Sequence, residues 1–130
     1  MPISIPVTLL YGGLSALLVV GLGINVSLRR LSRGVLAGAP LPPDFTIPVR
    51  AHGNAAEWVP LGLVLLLAVE LSGGGTRFTL HLAGGCFFLG RVLHAIGFLT
   101  RTRLTIPAAA LNYTVVAVLA VWALVLRAGR

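Results

Sequence analysis

The chain has 130 residues, room for one domain, and is 57% hydrophobic with only 10% charged residues; a soluble domain carries about 25% charged residues, so a soluble globular protein is excluded and a membrane protein indicated. All ten basic residues are arginine, set against three acids for a formal net charge of +7. These arginines flank or enter apolar runs and form no basic stripe interleaved with aromatics, which excludes a nucleic-acid partner and makes them topology signals and anion ligands.

Four apolar runs each reach the roughly 20 residues that a span needs. They predict an all-α, four-helix transmembrane bundle, a single integral membrane domain over residues 1–130 with spans at about 3–28, 49–71, 76–99 and 105–126. The first run, Ile3 to Leu28, is too long for a signal peptide and has neither a basic n-region nor a convincing cleavage site, so it is expected to be retained. The segment Arg29 to Pro48 is the one long connection, punctuated by Gly34, Gly38, Pro40, Pro42 and Pro43.

The second run opens on Arg50-Ala51-His52-Gly53-Asn54-Ala55-Ala56-Glu57. Arg50, Asn54 and Glu57 are spaced i, i+4, i+7 and share one helix face. Charges in lipid cost roughly 2.5–3.5 kcal/mol each by insertion scales, so they normally face protein or a wet cavity and mark function. His52 falls on a different face and is read as structural. Glu70, at the other end of the run, is expected to pair with Arg77 or to sit at the interface. Trp58, Trp122 and Tyr11 read as packing or belt residues.

Ser72 to Gly75 is a tight glycine turn leading into the third run, where Gly84, Gly85 and Gly90 are expected to allow close helix contact. Cys86 is the single cysteine, so no intrachain disulfide is possible, and it reads as a small packing residue. Arg91, His94 and Phe98 share one face at i, i+3, i+7. Thr105 is expected to cap the fourth helix, with Pro107 tolerated in its first turn. His52, His81 and His94 lack metal-ligand spacing, and no metal is expected.

Short links make sequential helices antiparallel neighbours. The first and third loops then share one side with Arg29, Arg30, Arg33, Arg101 and Arg103, against Arg77, Arg127 and Arg130 opposite, which favours cytosolic first and third loops. The end of helix 1 (Asn25, Arg29, Arg30), the start of helix 2 (Arg50, Asn54, Glu57), the end of helix 3 (Arg91, His94) and the start of helix 4 (Arg103) therefore lie at one membrane level. A one-sided, arginine-rich pocket suits a small ligand bearing carboxylates that arrives from the cytosol. Plainer readings compete: an Arg50–Glu57 structural ion pair, Asn54 as interhelical glue, Arg91 reaching lipid phosphates, and His94 as a hydrogen-bonded packing residue.

The stretch Arg50 to Glu57 followed by Trp58-Val59-Pro60-Leu61 resembles the helix 2 signature of the MAPEG family (membrane-associated proteins in eicosanoid and glutathione metabolism). Gly90-Arg91-Val92-Leu93-His94-Ala95-Ile96-Gly97 resembles the same family's helix 3 signature, and the bacterial branch is the most similar. The resemblance implies a homotrimer with glutathione as cosubstrate between subunits near the cytosolic face. It implies that Arg50 binds a carboxylate and Glu57 the ammonium, that Asn54, Arg91 and His94 contribute to the site, and that Arg29 matches at the end of helix 1. Two departures follow: Phe98 stands where family enzymes usually carry tyrosine, and Pro107 where many carry an arginine credited with holding the thiolate. Arg103, with Arg101 behind it, is the local substitute and the candidate catalytic residue.

The expected function is glutathione S-transferase-like, the activated thiol attacking a lipophilic electrophile that arrives through the bilayer of a bacterial inner membrane. The alternative is a non-catalytic binder of a thiol or lipid anion, motivated by Phe98 and Pro107. A small proton-coupled exporter would need a carboxylate in helix 1, which has none.

Overall fold

The computed structural model describes residues 4–36 and 38–129; Ile3, at the start of the first run, and Arg130, counted in the orientation argument, lie outside them. Four helices follow one another: α1 (Pro6–Ser32), α2 (Thr46–Leu71), α3 (Arg77–Thr100) and α4 (Thr105–Ala128), with a 3₁₀ turn at Pro43–Phe45 leading into α2. Among the described residues there is no strand. The helices hold 27, 26, 24 and 24 residues, about 36–40 Å at 1.5 Å per residue, and each is apolar enough to cross a hydrocarbon core about 30 Å thick. Their outer faces suit lipid: Leu17, Phe78 and Leu124 are 72%, 74% and 69% exposed, a pattern that water would penalise and acyl chains do not.

The helix ends are closed by specific bonds. Pro6 opens α1 with no cap of its own; the Glu70 carboxylate from the end of α2 accepts hydrogen bonds from the backbone N–H groups of Val7 (3.0 Å) and Thr8 (2.7 Å). This replaces the expected pairing with Arg77, while Glu70 stays at the end of the α2 span. Free N–H groups and the positive end of the helix dipole draw the acid to α1. Gly73 and Gly75 take positive φ in the turn after α2, and the Gly74 N–H returns to the Val69 carbonyl at 3.0 Å. Thr76 and Thr79 then form a reciprocal capping box at the start of α3. Thr105 does not cap α4. Leu104 occupies that position, already in helical conformation, and Thr105 is the first helical residue.

α2 and α3 form the centre of the bundle and α1 and α4 flank them. One end gathers the start of α1, the end of α2, the start of α3 and the end of α4, through Glu70 on Val7, Tyr11 on His81 and Trp122 against Gly75. There the core is built from large side chains, Leu66, Val69, Leu80, Phe87 and Leu119 among them. The opposite end has a core of Leu22, Ala51, Ala55 and Ala95, whose small side chains leave room for polar groups. Close approach rests on glycine, as expected at Gly84, Gly85 and Gly90: a Cβ on Gly84 would stand 2.2 Å from the Tyr11 ring, and one on Gly90 2.6 Å from the Asn112 amide. Gly62 beneath Phe87, at 2.2 Å, belongs to the same device.

Candidate functional site

The orientation of α2 follows from its buried stripe. Ala51, Ala55 and Val59, spaced i, i+4, i+8, pack inward, which turns Arg50, Asn54 and Glu57 to the other side. These three line one cavity of about 540 Å³ together with Val49, Gly53 and, from α3, Phe98. The alternative of an Arg50–Glu57 ion pair is not realised: among the described residues the ion pair present is Arg33–Asp44, at 2.8 Å in the first loop. Arg50 and Glu57 are both exposed. Glu57 lies eleven residues beyond the first residue of α2, about 16 Å along the axis, a depth at which an uncovered carboxylate is costly.

Arg91 stands behind this wall. It is 2% exposed and donates from Nη2 to Asn54 Oδ1 at 2.6 Å, which removes the reading in which it reaches lipid phosphates. A guanidinium only donates, so the amide oxygen of Asn54 must face it. The Asn54 amide nitrogen has no protein partner among the described residues and is left as a donor. Arg91 Nε is itself buried with no partner, and among the described residues no carboxylate lies within ion-pair distance of it, so its positive charge lies uncompensated by them beside the cavity wall.

The remaining sequence candidates lie elsewhere. His94 is 7% exposed and meets Phe98 edge-to-face at 4.9 Å. It lines a different groove, of about 510 Å³ between α3 and α4, with Tyr113 and Thr105; Phe98 is the partition between the two spaces. Arg29 is exposed on α1 and donates from Nε to Asn25 Oδ1 one turn back, at 3.1 Å. Arg103 is exposed in the α3–α4 link and is not among the residues lining the α2 cavity. Arg101 instead lines a further groove of about 340 Å³ that shares Arg50 and Phe98 with the main cavity. The link's geometry, which periodicity does not carry, puts Arg101 rather than Arg103 on that groove. His52 packs its ring on Gly23 of α1. Among the described residues no three His, Cys, Asp or Glu side chains are grouped so as to hold a metal ion.

Chemically, the cavity offers a guanidinium, a fixed amide donor and a carboxylate, none neutralised by the protein. That set complements a small zwitterion carrying an acidic group. The chain matches the MAPEG family over residues 8–125. It is 35% identical over 92 residues to "Inner membrane protein YecN" of Escherichia coli (strain K12), an alignment covering 71% of this chain and 70% of that protein. The same figures hold for the protein of that name from Escherichia coli O6:H1.

Proposed function

This chain belongs to the MAPEG family and is an integral membrane protein, and on that footing we propose that it binds glutathione in the α2 cavity and activates the thiol for attack on a lipophilic electrophile. The observation that carries the reading is the gathering of Arg50, Asn54 and Glu57 on one cavity at membrane depth, with both charges unpaired among the described residues and the Asn54 amide nitrogen left as a donor. At neutral pH glutathione carries two carboxylates, an ammonium and a thiol. Arg50 takes a carboxylate, Glu57 the ammonium, and the Asn54 amide N–H₂ a further acceptor, while Arg91 orients that amide from behind. His94 and Arg29 are proposed contributors that act through Phe98 and through the end of α1. The name of the relative supports the inner membrane as the location, and the arginine count alone favours first and third loops on the cytosolic side.

Because Arg50 and Glu57 are exposed within a span, something other than lipid must cover them. A second copy of the chain does so, in the homotrimer that the family resemblance implies, with the cavity closed between neighbours. A free thiol near pKa 8.5 is mostly protonated at pH 7, so turnover requires a cation at the sulfur. Arg103 in the α3–α4 link is the proposed source. Phe98 in place of a hydroxyl, and Arg103 outside the cavity lining, favour a second reading in which the protein binds glutathione without turning it over.

Titrating glutathione into the purified protein in nanodiscs separates the readings, following binding heat, the ultraviolet thiolate band and conjugation of an aryl halide. Binding with a thiolate band that disappears in Arg103→Ala is expected of the enzyme. Binding with neither band nor conjugation selects the second reading, and absence of binding rejects both.

A further inference from the structure

Two grooves on the outside of the bundle run into one another. One, of about 340 Å³, lies where α2, α3 and the α3–α4 link meet, and carries Thr46, Arg50, Arg101 and Thr102. The other, of about 510 Å³, continues it between α3 and α4, past His94, Ile106, Ala109, Ala110 and Tyr113. Phe98 and Thr105 line both. We propose that the joined grooves seat one anionic phospholipid, its phosphate on Arg101 and Arg50, an ester carbonyl at His94 and an acyl chain along α4. This inference stands apart from the glutathione reading.

The first groove is built for a phosphate. Two guanidinium groups and three threonines surround it, and Arg101 makes no side-chain hydrogen bond or ion pair with the described residues, so its guanidinium is available to an anion. It stands just past the last residue of the α3 span, the level of lipid headgroups, where basic pockets between helices take acidic lipids. No acidic residue lines either groove. A zwitterionic headgroup would bring a cation with no partner there, so the site favours a headgroup whose one charge is the phosphate. Arg101 is also held in place against preference. It ends α3 at φ 56° and ψ 37°, and every other described residue with positive φ is a glycine, the residue this conformation favours.

The second groove suits the rest of a lipid. Ile106 is 68% exposed beside it, so it is open sideways to the bilayer. Its buried polar wall is His94, which packs on Phe98 and makes no hydrogen bond with the described residues. A buried imidazole without a partner is costly, and an ester carbonyl would accept from its N–H. The levels match. A Cβ on Gly97 would stand 2.7 Å from the Thr105 nitrogen, so these two residues mark one height at the phosphate groove. His94 lies three residues below Gly97 on α3, about 4.5 Å, the span of a glycerol segment. Tyr113 closes the groove eight residues below Thr105, about 12 Å, within the roughly 15 Å of hydrocarbon that one leaflet provides.

Native mass spectrometry of the whole protein, released from nanodiscs of equal parts dioleoyl phosphatidylglycerol and dioleoyl phosphatidylcholine, tests the assignment. Wild-type protein is expected to retain phosphatidylglycerol over phosphatidylcholine by about tenfold, the scale of one charge-assisted contact. Arg101→Gln and Arg101→Gly are expected to lose most of that preference; the glycine suits the backbone at this position, so its loss is not one of folding. Arg77→Gln, at the opposite end of the bundle, keeps the preference. His94→Leu is expected to lower retention of both lipids alike, since both carry the ester. Excess inorganic phosphate is expected to displace neither lipid. Equal retention of the two lipids by the wild type, a preference undiminished in both Arg101 variants, or an equal loss in Arg77→Gln overturns the site. Undiminished retention in His94→Leu removes the chain from the second groove, and displacement by inorganic phosphate means that the arginines bind free phosphate and not a lipid.

Discussion

Asn54 is held from behind and used from the front. Its oxygen is committed to Arg91 at 2.6 Å, so only its N–H₂ faces outward, and Arg91 acts on a ligand through that amide rather than by contact. A double-mutant cycle reads this directly. Asn54→Ala and Arg91→Gln are each expected to weaken glutathione binding by roughly 1–2 kcal/mol, and the double variant to be no worse than Asn54→Ala alone. Additive losses would show instead that Arg91 touches the ligand. The spacing of Arg50, Asn54 and Glu57 made their common face legible in the sequence. The inward turn of Arg91 was not legible, because periodicity gives the face of each helix and not the rotation of one helix against another. His94 shares a face with Arg91 yet ends on the far side of Phe98 for the same reason.

The four helices could be read directly, since a run of about 20 apolar residues admits few other folds in lipid. Their ends could not. Glu70 caps a helix 62 residues or more away in sequence, and Thr105 yields its capping place to Leu104; both depend on which ends the bundle brings together. The glycine contacts were legible only as a tendency, and their partners, Tyr11, Asn112 and Phe87, required the packing. Gly84→Ala is expected to destabilise by about 1–3 kcal/mol through overpacking against Tyr11, measured by thermal melting in micelles. Gly12→Ala, where an added Cβ meets nothing within 4 Å, is expected to be neutral or mildly stabilising. Equal melting temperatures for the two variants would show that close approach at Gly84 does not hold α1 to α3.

At the scale of the molecule, large side chains pack one end and alanines the other, and the ionic groups of the α2 cavity lie at the loosely filled end. A bundle alone in lipid would leave Arg50 and Glu57 uncovered, which is the physical reason to expect a partner copy over them; that there are three copies is what the family resemblance implies. Native mass measurement from nanodiscs should give three copies, and a monomer would remove the proposed cover. No feature of a single sequence spells out that interface, because it depends on surfaces that only the assembled bundle presents.

The central claim is that Arg50 and Glu57 hold the two charged ends of a zwitterionic peptide. The most direct measurement is calorimetric titration of glutathione into Arg50→Ala and Glu57→Gln in nanodiscs, with helical content checked by circular dichroism. Each is expected to lose about tenfold or more in affinity, as loss of a charge-assisted contact of roughly 1.5–3 kcal/mol requires. Wild-type affinity in both variants would contradict the account.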